Sequence, residues 1–178
     1  LSFTVNNITA HINNVRQDAI TPIVKAINNP NLILLRNAGE TKIHSDFCLN
    51  VLSVFDEGNW VKPTNPKVVN IALYHGAIDK SKTDQNWTLG GDHSIEIFDD
   101  FDFAFLGDIH KTQKLDKEGR IWYAGSTVQQ NFGESLDKGY LLWDIDDRNT
   151  FNTRLITFEN PKPFVTLELT KAGNLPKK

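Results

Sequence analysis

Ile20, Ile23, Val24 and Ile27 recur at i, i+3, i+4 and i+7, which predicts an amphipathic helix with one apolar face. Pro22 is tolerated only within the first turn, so the helix begins near Ile20 or Thr21, and Asn28-Asn29-Pro30 ends it. Beyond this point the pattern changes. Residues 32–35, 48–55, 68–74, 103–106, 121–123, 140–145, 151–158 and 164–169 are short runs rich in β-branched and aromatic side chains, which predicts strands. Asn37-Ala38-Gly39, Glu57-Gly58-Asn59, Asp116-Lys117-Glu118-Gly119 and Asp146-Asp147-Arg148-Asn149 are turn signals between them, and the last two resemble hairpin connections. The pattern predicts an α/β chain, strand-rich and with few helices, built on a mixed sheet or a two-sheet core. There are no repeats or low-complexity tracts. Pro161-Lys162-Pro163 reads as a short rigid linker. The expected division is therefore a main unit over residues 1–160, with 161–178 opening a further element.

Composition narrows the function classes. The chain has 178 residues, of which 39% are hydrophobic and 23% charged, so it is expected to fold as one domain and not to be disordered. No run approaches the roughly 18 apolar residues of a membrane helix. Nineteen basic against 22 acidic residues give a net charge of −3, which excludes a broadly basic nucleic-acid coat. Nucleic acid would have to bind through a local patch or a metal ion. Cys48 is the only cysteine, so there is no internal disulfide framework and no cysteine-based zinc site, and a reducing compartment is expected. The chain begins at Leu1 and holds no methionine, and the expectation is that it is part of a longer polypeptide.

Two segments carry candidate chemistry. In the first, the apolar run 68–74 delivers His75 at its C-terminal edge, and Gly76 lets the backbone turn away. In the second, the run 101–106 ends in Gly107-Asp108-Ile109-His110. If that segment stays extended, Asp108 and His110 point the same way and could face one ion. Imidazole and carboxylate donors on strand ends suit a hard or borderline divalent metal. The structural alternative is that these are ordinary strand-end side chains. His11, His44 and His93 read as solvated, and Cys48 as a small buried apolar residue. Gly90-Gly91 reads as a loop hinge with no phosphate-binding context. The stretch from Tyr123 to Glu134 has two readings: a buried polar loop whose amides satisfy backbone groups, or a loop that buttresses the candidate site or touches phosphate. No nucleophile elbow, Walker loop or dinucleotide fingerprint is present.

Taken in order, His75-Gly76, Gly107-Asp108-Ile109-His110, Ala124-Gly125-Ser126, Asn131-Phe132-Gly133-Glu134 and Lys138-Gly139-Tyr140 resemble the calcineurin-like metallophosphoesterases. The branch they most resemble is the SbcD-type nucleases of DNA double-strand-break repair, including versions carried by phages and large viruses. The resemblance runs from residue 14 to about 170. It implies a two-sheet β-sandwich core with flanking helices and a site for two divalent ions, manganese foremost and magnesium possible. The family's motifs run D-x-H, G-D-x-x-D, G-N-H-D/E, a lone H often followed by G, and G-H-x-H. His75 matches the lone histidine. Gly107, Asp108 and His110 match the last motif, with Asp108 in place of its first histidine. By resemblance, His75 binds one metal and Asp108 shares that ion, while His110 binds the other; Gly76, Gly107, Gly125 and Ser126 form the supporting loops.

The first three motifs are not spelled out in this chain, although Asn6, Asn7 and His11 lie where a degenerate third one could end. Asp108-Ile109-His110 could also be parsed as the opening D-x-H, but no G-D-x-x-D or G-N-H follows it. With the family's general-acid histidine missing, catalytic residues are unassigned, and the expectation for this chain alone is a partial site with little or no nuclease activity. For the complete protein the resemblance implies metal-dependent phosphodiester hydrolysis of DNA in recombination or repair, beside an SMC-like ATPase. It implies no membrane association, leaves a homodimer open, and points to the cytoplasm, or to the host cytoplasm for a viral version. The alternatives are a non-catalytic binding or scaffold module with a decayed site, and a phosphatase of the same superfamily.

Overall fold

The computed structural model describes residues 9–12 and 15–174. A hairpin of β1 (Thr9–Ile12) and β2 (Val15–Asp18) leads into helix α1 (Ile20–Ile27). The helix starts and stops where the pattern predicts. Pro22 lies in its first turn, and Asn28 closes it in the left-handed conformation (φ 47°), its N–H bonding to the Val24 carbonyl.

The centre of the molecule is a six-stranded sheet in the order β3-β4-β5-β6-β8-β7. Its strands are β3 (Gly39–Lys42), β4 (Phe47–Leu52), β5 (Val69–His75), β6 (Phe103–Gly107), β7 (Gln113–Lys114) and β8 (Ile121–Tyr123). The four central strands β4, β5, β6 and β8 run parallel, and β3 and β7 close the two edges antiparallel. Parallel strands are buried on both faces, which is why β5 reads as a continuous apolar run. Alternate residues divide between two cores. Val69, Ile71, Leu73, Phe103 and Leu49 face one side; Ala72, Tyr74, Ala104, Leu106, Leu52 and Tyr123 face the other.

A hairpin of β9 (Gly139–Ile145) and β10 (Phe151–Thr157) covers the first face. Trp143 packs on Phe105 and Phe103 at ring-centroid distances of 4.6 and 5.8 Å, and Phe151 lies 4.9 Å from Phe103. The second face is covered by the long β5–β6 connection, through Ile78 and Phe98 of a short 3-10 turn.

The mixed, strand-rich α/β expectation describes this molecule, and both hairpin signals sit at real hairpins, β7–β8 and β9–β10. Two expectations are corrected, and some strands were not foreseen. Residues 32–35 and 164–169 form no strand: no neighbouring strand pairs with either, and most of their apolar side chains are exposed. A β-branched run without a partner for its N–H and C=O groups has nothing to hold it as a strand. Helices do not flank the sheet among the described residues, because α1 buries none of its side chains and loops and a hairpin do the covering. Strands β1, β2, β3 and β7 were not predicted; β3 and β7 are short edge strands of mostly polar sequence that take their conformation from pairing. No helix among the described residues is long and apolar enough to cross a membrane.

Candidate functional site

The candidate residues gather at the C-terminal edge of the parallel sheet, the edge at which open α/β sheets generally bind ligands. His75 is the last residue of β5 and stands in register with Gly107, the last of β6. Asp108 follows at once, and its Oδ1 lies 3.7 Å from His75 Nε2. This is an electrostatic contact, too long for a hydrogen bond.

Asp108 has φ 91°, a left-handed backbone that aspartate tolerates better than most residues. That conformation ends the extended segment, so the alternation expected to aim Asp108 and His110 at one ion does not hold. Ile109, between them, is buried in the core. Asp108 turns to His75, whereas His110 Nδ1 lies 2.9 Å from Glu134 Oε1. Asp108 and His110 still border one hollow of about 280 Å³, together with Asp84, Lys111 and Glu134. Asp108 also borders a second hollow of about 210 Å³, shared with His75, Gly76 and Asp92.

The supporting loops are close-packed. Gly125 has φ 78°, and a Cβ there would lie 2.5 Å from Thr112 Oγ1 and 3.0 Å from the His110 carbonyl, so only glycine lets this turn press against the His110 segment. The Ser126 N–H donates to that same carbonyl at 3.1 Å. The Gly76 turn is clamped from below: the Tyr123 hydroxyl donates to the Gly76 carbonyl at 2.7 Å and accepts the Ile78 N–H at 2.8 Å. Burial, then the charges of Glu57, Asp92 and Asp108, pushes the Tyr74 phenol up to about 12, and burial also raises Tyr123. Both phenols keep their protons, so the Tyr123 hydroxyl is available as the donor to the Gly76 carbonyl.

Three residues of this corner were not assigned from the sequence. Lys138, with only 3% of its side chain exposed, reaches Asp84 Oδ2 at 3.0 Å, Glu134 Oε2 at 3.4 Å and the His110 carbonyl at 2.8 Å. The spacing of Glu134 and Lys138 carries no signal: i, i+4 neighbours meet on a helix, whereas residues 134–138 are loop, and Asp84 comes from a distant segment. Burial works to raise the Glu134 carboxyl, but hydrogen bonds from His110 and the Gln130 N–H and the charge of Lys138 outweigh it, leaving the group below its ordinary value. Within the Tyr123–Glu134 stretch the amides do satisfy local groups: the Gln129 amide donates to the Glu134 carbonyl, and its oxygen accepts the Phe164 N–H. The same stretch also delivers Glu134 to His110.

The remaining histidines divide. His44 is exposed beside Asp46, as expected. His93 is only partly exposed: its ring lies 4.9 Å from that of Trp60 and its Nε2 is 3.2 Å from Glu57 Oε1. The sequence could not show this, because both partners come from the distant 57–60 turn. His11 lies in β1, and Asn6 and Asn7 fall outside the described residues. Cys48 is buried, and burial together with the Glu40 charge pushes its thiol up to about 11. Of the Gly90-Gly91 pair, Gly91 has a packing role, since a Cβ there would lie 2.3 Å from the Ala77 carbonyl oxygen, whereas one on Gly90 would meet open space.

Divalent ions need four or more ligands. Among the described residues no group of three or more histidines, cysteines or carboxylates is placed to hold one. His75 and Asp108 meet at one point, and the His110 imidazole is engaged by Glu134. The described residues thus complete no coordination shell.

No family profile matches the chain, and no solved structure matches it. The chain is 30% identical over 170 residues to an uncharacterized protein of Acanthamoeba polyphaga mimivirus. The match takes in 88% of this chain, which spans 12% of the length of that viral protein.

Proposed function

We propose that this chain is the later part of a calcineurin-like metallophosphoesterase core, in a longer protein that hydrolyses phosphodiester bonds in DNA. His75 and Asp108 would serve as ligands for one divalent ion and His110 for a second. The observation that carries the reading is the meeting of His75 and Asp108 at the ends of adjacent parallel strands, with His110 bordering the same hollow as Asp108. A bound divalent cation, manganese first among candidates, would supply the positive charge that an anionic phosphodiester requires and that a chain of net charge −3 does not. The place of this chain within a far longer relative accords with a shell completed by other segments. An SMC-like ATPase partner belongs to the same reading. The second reading is a non-catalytic scaffold, favoured by the incomplete donor set.

Manganese titration and DNA cleavage by the chain alone and by a longer polypeptide containing it decide between them. The longer protein is expected to bind manganese and cut DNA, to lose cutting in His75→Ala, and to bind the ion more weakly in His75→Ala and His110→Ala. The chain alone is expected to show little or no cleavage. Robust cleavage by the 178 residues alone would overturn the partial-site claim. Manganese affinity unchanged by both substitutions would remove the site, and a longer protein that binds no manganese would favour the scaffold.

A further inference from the structure

The contacts around Glu134 determine which nitrogen of His110 carries a proton. Glu134 Oε2 receives the Gln130 N–H at 2.9 Å and faces Lys138 Nζ at 3.4 Å, and its Oε1 receives the Asn131 side-chain amide at 2.9 Å. None of these three neighbours can accept a hydrogen bond from the carboxyl group, so the group is fitted as an acceptor on both oxygens. The remaining contact, His110 Nδ1 to Oε1 at 2.9 Å, must then be donated by the ring.

We infer that Glu134 is a positioning residue that holds His110 in the Nδ1–H tautomer, so that neutral His110 presents a bare Nε2 to the hollow it borders with Asp108. Lys138 completes the arrangement from behind. It holds Glu134 and Asp84 by charge and the His110 backbone by hydrogen bond, so the carboxylate and the ring it orients are fixed to one buried anchor. Glu134 and Lys138 are 6% and 3% exposed, whereas His110 is 43% exposed. The support is therefore internal while the ring edge is open. A bare Nε2 is a Lewis base, able to take a proton or to ligate a cation. Which of these it does rests on the function proposed above; the tautomer does not.

The test is nuclear magnetic resonance of the chain labelled with ¹⁵N at histidine ring nitrogens, with His110 assigned by its disappearance in His110→Gln. Spectra are taken at a pH where the ring is neutral and without added metal. The wild-type ring is expected to be Nδ1-protonated. Glu134→Ala is expected to shift the tautomer ratio toward Nε2–H by roughly tenfold, the effect of losing one charge-assisted hydrogen bond. Glu134→Gln, which keeps the side-chain shape should the alanine variant fail to fold, is expected to shift it in the same direction by less. A wild-type ring protonated at Nε2, or a ratio unmoved in a folded Glu134 variant, would overturn the inference. Because neither metal nor DNA is in the sample, that outcome is separable from failure of manganese binding or cleavage.

Discussion

Single side chains hold the candidate site by contacts that a pattern of hydrophobic and polar positions does not express. Tyr123 illustrates this: its run predicts a strand, but its hydroxyl closes the Gly76–Ile78 turn forty-five residues upstream. Tyr123→Phe keeps the ring and leaves the Gly76 carbonyl and Ile78 N–H without that partner, which should cost about 1–3 kcal/mol in denaturant unfolding. Asp18 acts locally. The Thr21 hydroxyl and N–H donate to its carboxylate, and Arg36 lies at 2.8 Å. These contacts hold its carboxyl down at about 2 against an ordinary 3.8. Because the folded value is the lower one, this group's stabilisation is fully present above the ordinary value and is lost as pH falls toward 2. Acid-unfolding curves of the wild type and Asp18→Asn should therefore differ near neutrality and converge at about pH 2.

At the scale of elements, the β9–β10 hairpin depends on the sheet it covers. A two-stranded ribbon is marginal by itself in water, and this one is held down by Trp143, Ile145 and Phe151 against Phe103 and Phe105. Trp143→Ala should cost about 3 kcal/mol, with the hairpin becoming the first site of limited proteolysis. Asp144→Ala, next along the strand, removes only an exposed pair with Arg154 at 3.6 Å. It should change stability by less than about 0.5 kcal/mol. The contrast between neighbours distinguishes the packed face from the open one. Helix α1 was legible from the i, i+3, i+4, i+7 spacing of its apolar residues and from Pro22 and Asn28 at its ends, and the central strands were legible because burial on both faces makes them unbroken apolar runs. Strands β3 and β7 were not, because an edge strand is set by its neighbour's hydrogen bonds, and the 32–35 run shows the converse: β propensity with no neighbour to pair with.

At the scale of the whole molecule, sequence spacing and spatial arrangement part company around Asp108. The strand-rich α/β character, the start and end of α1, the β7–β8 and β9–β10 hairpins, and the delivery of His75 and Asp108 at the ends of apolar strands were all readable from the residues alone. Each of these follows from short-range rules: side-chain period, proline geometry, turn chemistry. The tertiary structure decided which residues meet. Parallel pairing of β5 with β6 set His75 beside Gly107 and so beside Asp108. A positive φ at Asp108, set at one residue and invisible in its spacing, turned His110 away toward Glu134. The fold also brought Asp84 and Lys138 together from fifty-four residues apart, and His93 to the 57–60 turn. Contacts of that range leave no periodic trace in a sequence, because they arise from how finished elements pack and not from the conformation of any one of them.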